Sequence, residues 1–423
     1  MNALLSQIEA LKIPLALKSK LINEFIPRWD DVGQKSPFRG ISPDKNSVRL
    51  DGNDYLCLSG AEKIVLAQIQ ALLEVGSSVI QSVIMLESGH IGRRFEESLA
   101  QWIGKGEVFL AQSGYAANVG LIQTIAGPTT PVYLDMQAHA SLWEGAHTAR
   151  APSHAFRHND ANSLELLIKK HGPGIVAVDS VYSSSGSICP LKEILEVVER
   201  NSCFLLVDES HSIGTHGPKG AGLCAELGLT ERVHFITASL SKAFAGRAGF
   251  YTLPSCMKYY AYSASYSTVF SSCLLPHEIA GLNATLELIQ NSDDARAKLH
   301  ANSRRIRKCL TEYGFTNTNG TEQIICLEAG PEADTVKLRE TFDSHDIFGA
   351  VFIWPATAKN RSMLRFTVNS GLTEDQLIKI ENVIPKVAEL IRPEQWRISR
   401  RQTKSAQATS PGIAVESEIS DGN

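Results

Sequence analysis

The chain has 423 residues, with 41 Lys and Arg against 45 Asp and Glu for a net charge of −4. A 43% apolar and 20% charged composition suits a chain that buries a large core, and near-average Gly and Pro contents (31 and 17) exclude collagen-like and low-complexity readings. The mild acidity argues against a protein built around a nucleic-acid backbone, which needs a basic stripe.

Within the first 25 residues, Glu9, Lys12, Lys18 and Lys20 interrupt any uninterrupted apolar core, so the segment is not a signal peptide. Leu4, Leu5, Ile8 and Leu11 fall at helical spacing, with Pro14 ending the run. No stretch approaches the ~20 apolar residues that cross a bilayer, so no membrane span is expected. Cys57, Cys189, Cys203, Cys224, Cys256, Cys273, Cys309 and Cys326 form no CxxC pair and read as reduced thiols of a cytoplasmic protein.

From residue 108 short apolar runs alternate with helical stretches. Val108–Leu110, Val132–Leu134, Ile175–Val178, Phe204–Val207 and His234–Thr237 are continuous rather than alternating, as strands covered on both faces are. Helices are predicted over 163–170, stopped by Gly172, and over 190–200. Strand starts at 175, 204 and 234 lie about 30 residues apart, the size of a βαβ unit. After residue 290 a charged helix over 293–313, strands near 324–327, 350–353 and 364–368, and a helix over 373–391 predict a smaller α+β domain. The expected organisation is an arm over 1–50, a large α/β domain with a mostly parallel sheet over 51–290, the small domain over 291–395, and a polar, disordered tail over 396–423.

Among chemical motifs, GxxxxGK[ST], HExxH and a Cys/His metal array are absent, so no metal site is expected. Gly214, Gly217, Gly220 and Gly222 follow Asp208, whereas a dinucleotide loop places its acidic residue after the glycines. Asp208 instead ends a buried strand, where α/β proteins place ligands and where a carboxylate is costly to desolvate without a cation. Lys242 follows the next predicted strand, 34 residues on. The two could form a plain ion pair. Pyridoxal phosphate needs the same groups: a Lys to form a Schiff base, and an Asp to keep the pyridine nitrogen protonated. Strand 108–110 runs into Ser113-Gly114-Tyr115 and a helix, whose free N–H groups suit a phosphate. His139 lies just past strand 132–134, where an imidazole could stack on a flat ring. Taken singly, each has a structural reading: a satisfied strand-end Asp, a core His, a solvated Lys.

Three segments, Ser113 to Leu121, Ala138 to Ala146 and Asp208 to Gly217, resemble the α-oxoamine synthase family of fold-type I pyridoxal-phosphate enzymes, and most of all its quorum-sensing α-hydroxyketone autoinducer synthases. The resemblance runs from Leu50 to Ile391. It implies an aspartate-aminotransferase-like fold with pyridoxal 5'-phosphate as cofactor. Lys242 would form the Schiff base and act as the base at Cα, Asp208 would pair with the pyridinium nitrogen, His211 would bond the phenolic oxygen, and His139 would stack on the ring. Gly114, Tyr115 and Ser239 would hold the phosphate, with Ser183 a further cofactor contact. Ser271 and Ser272 match the place where a partner subunit completes that site, which implies a homodimer. Asn53 and Arg365 would hold the substrate carboxylate.

The implied reaction condenses an amino-acid-type substrate with an acyl-CoA, with decarboxylation, to an α-aminoketone. For the autoinducer subgroup the substrates would resemble 2-aminobutyrate or S-adenosylmethionine and a medium-chain acyl-CoA. Two departures from the family pattern, Met85 to Ile91 and Asn369 to Leu372, surround the substrate and favour that subgroup. A biosynthetic synthase of the 8-amino-7-oxononanoate or serine palmitoyltransferase type, and a catalytically idle fold, remain the alternatives.

Overall fold

The computed structural model describes residues 2–31, 35–315 and 322–396. The tail expected from residue 396 therefore lies, from 397 onward, outside the described residues. Eleven strands lie among these residues: β1 (Val48–Leu50), β2 (Glu107–Ala111), β3 (Val132–Asp135), β4 (Ser153–Phe156), β5 (Ile175–Asp179), β6 (Phe204–Asp208), β7 (Phe235–Ser239), β8 (Gly249–Leu253), β9 (Ile324–Gly330), β10 (Ile347–Phe352) and β11 (Ser362–Thr367).

Seven of them form one sheet in the order β2-β8-β7-β6-β5-β3-β4. Neighbours from β7 to β4 run parallel, while β8 is antiparallel to both β7 and β2. The sheet is thus mostly parallel, as the sequence predicts. Its continuous apolar runs have the expected cause, since both faces are covered. On β6, Leu205 and Val207 enter one core while Leu206 enters the other, following the two-residue period of a strand. Helix Leu191–Arg200 buries Leu191, Ile194, Leu195, Val197 and Val198 on the first face. Helix Gly114–Ile125 buries Ala117, Leu121 and Ile122 on the second.

The second sheet has the order β1-β10-β11-β9, with β1 parallel to β10 and the other pairs antiparallel. Strand β10 begins three residues ahead of the predicted run because Ile347 and Phe348 pair with Val48 and Arg49. The predicted helices at 293–313 and 373–391 are Asp293–Glu312 and Glu374–Ile391, the latter capped by Thr373, whose hydroxyl accepts from Gln376 N. Among the described residues no helix is long and apolar enough to cross a membrane. All eight cysteines are free.

The chain leaves β6 through a turn pinned by Glu209, which is 1% exposed. Its carboxylate accepts from Leu223 N at 2.9 Å and Cys224 N at 2.7 Å, and also takes the Ser212 hydroxyl. Removing it strands two buried donors at the start of helix Leu223–Glu226. Glu209→Ala is therefore expected to lose about 2–4 kcal/mol in denaturant unfolding. Glu209→Gln, which keeps one acceptor, should lose less; equal losses would show that the retained acceptor carries no weight.

Candidate active site

The carboxyl ends of β2, β3, β5, β6 and β7 surround a cavity of about 220 Å³. Because parallel strands end together at one edge, residues far apart in sequence reach it from successive turns. The cavity wall includes Gly114, Tyr115, His139, Asp208, His211, Ser239 and Lys242. Seven sequence-predicted residues thus share one hollow.

Asp208 is the last residue of β6 and 4% exposed. Its Oδ2 accepts from Asn118 Nδ2 at 2.7 Å and its Oδ1 from Ser210 N at 2.8 Å. Asn118 also donates to Ser141 Oγ at 2.8 Å, which ties the helix after β2 to the helix after β3. In the ladder, Asp179 of β5 lies directly beside Asp208. Burial first, and then the Asp208 charge, push the Asp179 carboxyl well above the usual range. Asp179 Oδ1 accepts from His139 N at 3.2 Å, so it also fixes the start of the following helix.

Lys242 lies three residues past β7. Burial lowers its pKa, which Asp208 partly offsets and Arg365 reinforces. Among the described residues, no hydrogen bond or ion pair holds its ammonium. His211 is buried, with Nδ1 2.5 Å from the Tyr55 hydroxyl. Burial, followed by Lys242 and Arg365, drives its imidazole well below the ordinary value, so it is neutral near pH 7. His139 caps helix Ala140–Thr148, with Nδ1 2.7 Å from Ser141 Oγ. Its ring faces the open cavity, yet the surrounding protein still desolvates it enough to lower its pKa.

Helix Gly114–Ile125 points its first turn into the hollow, and Ser113 Oγ caps it by accepting from Ala116 N at 3.1 Å. The N–H groups of Gly114 and Tyr115 have no acceptor among the described residues, as expected of a first helical turn. Ser239 brings its hydroxyl to the same place, 2.8 Å from Ser241 Oγ. Gly114 is required there by contact: a Cβ would sit 2.5 Å from Ser239 Cβ.

The remaining predicted residues lie outside that wall. Arg365 on β11 donates to Asn53 Oδ1 at 3.0 Å and to Ser183 O at 2.9 Å, and its guanidinium lies 4.4 Å over the Phe352 ring. Its Nε is buried and unpartnered. Arg365 is near enough to depress both Lys242 and His211. Ser183 thus meets the site through its carbonyl. Ser271 donates to Ser267 O at 2.5 Å, and Ser272 O takes the Gln112 amide, beside the Ser113 cap. Asn118, Tyr55, Asp179 and Ser210 were not among the predicted site residues. Asn118 is one turn past Gly114 on the same helix, a spacing that could have flagged it.

These features suit pyridoxal 5'-phosphate on physical grounds. Two open N–H groups and a hydroxyl suit a phosphate, an unbonded buried amine suits an aldehyde, and a buried carboxylate suits a cationic ring nitrogen. The aminotransferase class I and II family model matches residues 45–384. The CAI-1 autoinducer synthase of Vibrio campbellii is 44% identical over 340 residues, covering 80% of this chain and 86% of that protein. A serine palmitoyltransferase of Caulobacter vibrioides is 28% identical over 368 residues, covering 84% and 88%. Among solved structures, a serine palmitoyltransferase holding pyridoxal phosphate aligns with a TM-score of 0.82 at 23% identity, covering 90% of this chain and 100% of that one.

Substituting Gly114→Ala should force the helix start away from Ser239. The purified variant is expected to hold at least tenfold less cofactor by visible absorption, with circular dichroism unchanged. Full cofactor occupancy in that variant would contradict the close approach.

Proposed function

The chain belongs to the aminotransferase class I and II family and is a pyridoxal-phosphate enzyme of the α-oxoamine synthase type, and from this premise we propose that it condenses an amino-acid-type substrate with a medium-chain acyl-CoA, with loss of CO2, to the α-aminoketone precursor of an α-hydroxyketone autoinducer. The observation that carries this reading is the convergence of Lys242, Asp208, His139 and two open backbone N–H groups on one cavity, in a chain 44% identical to an autoinducer synthase.

When bound, pyridoxal phosphate supplies an electron sink for negative charge developing beside the substrate nitrogen. The amine of Lys242 would hold the cofactor aldehyde and, once free, would accept the Cα proton at Nζ. A lowered pKa suits both tasks, because each needs the unprotonated amine. Asp208, held by Asn118 and Ser210, would meet the ring nitrogen. His211, fixed by Tyr55, serves as a neutral hydrogen-bonding group toward the phenolic oxygen. His139, oriented by Ser141, would cover the ring face. Gly114, Tyr115 and Ser239 take the phosphate. Arg365 and Asn53 would take the substrate carboxylate, the guanidinium giving up its bonds to Asn53 Oδ1 and Ser183 O for a bidentate pair. The substrate Cα would then bond to the thioester carbonyl as the C–S bond breaks, CoA leaving as its thiol with the proton that Lys242 Nζ had taken, and a proton from solvent would replace the carboxyl lost as CO2.

An open cleft of about 1250 Å³, sharing Tyr115 with the cavity and lined by Trp143, Arg150 and Tyr266, supports a bulky acyl carrier. The amino substrate is read as 2-aminobutyrate- or S-adenosylmethionine-like. Exposed Leu66, Ile69 and Leu73 on helix Glu62–Val75 support a homodimer, and we read its place as the cytoplasm.

Mass spectrometry of products from a panel of acyl-CoAs with each amino substrate should show a medium-chain aminoketone or its derivative, and Lys242→Ala should make none. Turnover restricted to palmitoyl or pimeloyl thioesters would instead assign a sphingoid or biotin-precursor synthase. The rate of reconstitution of cofactor-free protein, followed by absorbance, should rise with pH as Lys242 loses its proton. Because the Lys242 pKa is lowered, the midpoint should fall below the ordinary lysine value of about 10.4. A midpoint at or above that value would contradict the desolvated amine.

A further inference from the structure

Behind the turn that carries His211, His216, His300 and Glu322 bring one ligand atom each within 4.8 Å of one another. His216 belongs to that turn, His300 to helix Asp293–Glu312, and Glu322 to the residues leading into β9. His216 Nε2 lies 2.8 Å and His300 Nδ1 3.2 Å from the same oxygen, Glu322 Oε2. The rings meet edge to face at 5.2 Å.

The outer nitrogens orient both rings. His300 Nε2 lies 2.9 Å from the Thr215 carbonyl, an acceptor only, so Nε2 carries a proton and Nδ1 is the nitrogen turned to Glu322. The Thr215 hydroxyl lies 2.9 Å from His216 Nδ1 and can also reach the carbonyls of His211 and Ser212, at 3.2 and 3.0 Å. His216 Nε2, on the Glu322 side of its ring, is buried without a well-formed hydrogen bond. Two ring nitrogens and a carboxylate oxygen thus converge on one point, and either protons or one cation between them must hold the set together.

We propose that His216, His300 and Glu322 bind a divalent transition metal, Zn2+ by ligand type, which clamps the turn after β6 to helix Asp293–Glu312 and the start of β9. Two imidazoles and a carboxylate are a recurrent zinc ligand set. Zinc bonds of about 2.1 Å place tetrahedral ligand atoms about 3.4 Å apart. The distances of 2.8 and 3.2 Å from Glu322 Oε2 need only small expansion to reach that. Thr215 supplies the outer hydrogen bonds that orient both imidazoles, as metal-binding histidines require. His216 is buried, while the His300 side chain is 25% exposed and gives the ion an entry path and a place for a water ligand. The spacing of 216, 300 and 322 matches no sequence motif, because the three meet only through folding.

The test uses the holoenzyme, freed of metal by chelator dialysis and then titrated with Zn2+. Elemental analysis after gel filtration should find about one zinc per chain in the wild type, and affinity at least tenfold weaker in His300→Ala. His171→Ala should bind like the wild type; it alters the stacked His154–His171 pair elsewhere and controls for adventitious histidine binding. Co2+ in place of Zn2+ should give tetrahedral d–d bands at longer wavelength than the cofactor, and Zn2+ should raise the melting temperature of the wild type but not of His300→Ala. Wild-type protein that retains no zinc at micromolar concentration, or zinc retained equally by His300→Ala, overturns the site. An imidazolium pair would then be the alternative, seen by NMR as two protons on each ring. If His300→Ala does not fold, wild-type stoichiometry and the Co2+ spectrum still decide the matter.

Discussion

A carboxylate buried at the end of β6, beside a second carboxylate on β5, constrains most of what surrounds it. Each buried charge costs several kcal/mol unless it is paired or neutralised. Asp179 meets the constraint by a raised pKa, and Asp208 by two hydrogen-bond donors. One of those donors is Asn118, so helix Gly114–Ile125 must seat closely on the sheet. That seating requires glycine on both sides of the contact, since a Cβ on Gly249 would lie 2.4 Å from Gly114 N and one on Gly114 would meet Ser239. The same seating turns the open N–H groups of Gly114 and Tyr115 toward the cavity. Phosphate capture and carboxylate burial are therefore two results of one packing arrangement.

The central strands are legible in the sequence because burial on both faces writes them as continuous apolar runs. Strands β5, β6 and β7 also keep the spacing of βαβ units. Strand β8 escapes that reading although all five of its residues are buried. It follows β7 after only a short loop and runs antiparallel, so no crossover helix marks it. Strands β1 and β4 have three and four residues, too few to show a period.

Asp208, Lys242, His139 and the phosphate-binding turn are legible for a related reason: each ends a recognisable strand. Asn53, Ser183, Arg365, Ser271 and Ser272 were named through the family resemblance alone, and the structure shows why spacing could not find them. Arg365 comes from the second sheet and reaches the site by tertiary packing, holding Asn53 from 312 positions away. Tyr55 meets His211 across 156 positions. Such partners read as ordinary core until the chain is folded.

The turn after β6 has two working faces. Asp208, Ser210 and His211 look into the cavity, while Glu209, Thr215 and His216 look away from it. Its outer face is gripped by the second sheet and the long helix before it: Gln323 donates to His211 O at 2.7 Å, and Arg296 reaches Gly214 O at 3.5 Å. Strand β9, which begins next to Gln323, pairs with β11 so that Cys326 lies opposite Arg365. The residue read as the substrate-carboxylate anchor and the turn read as facing the cofactor are therefore joined through a single strand pair. A displacement of the second sheet large enough to move Arg365 must also pull on the backbone of His211.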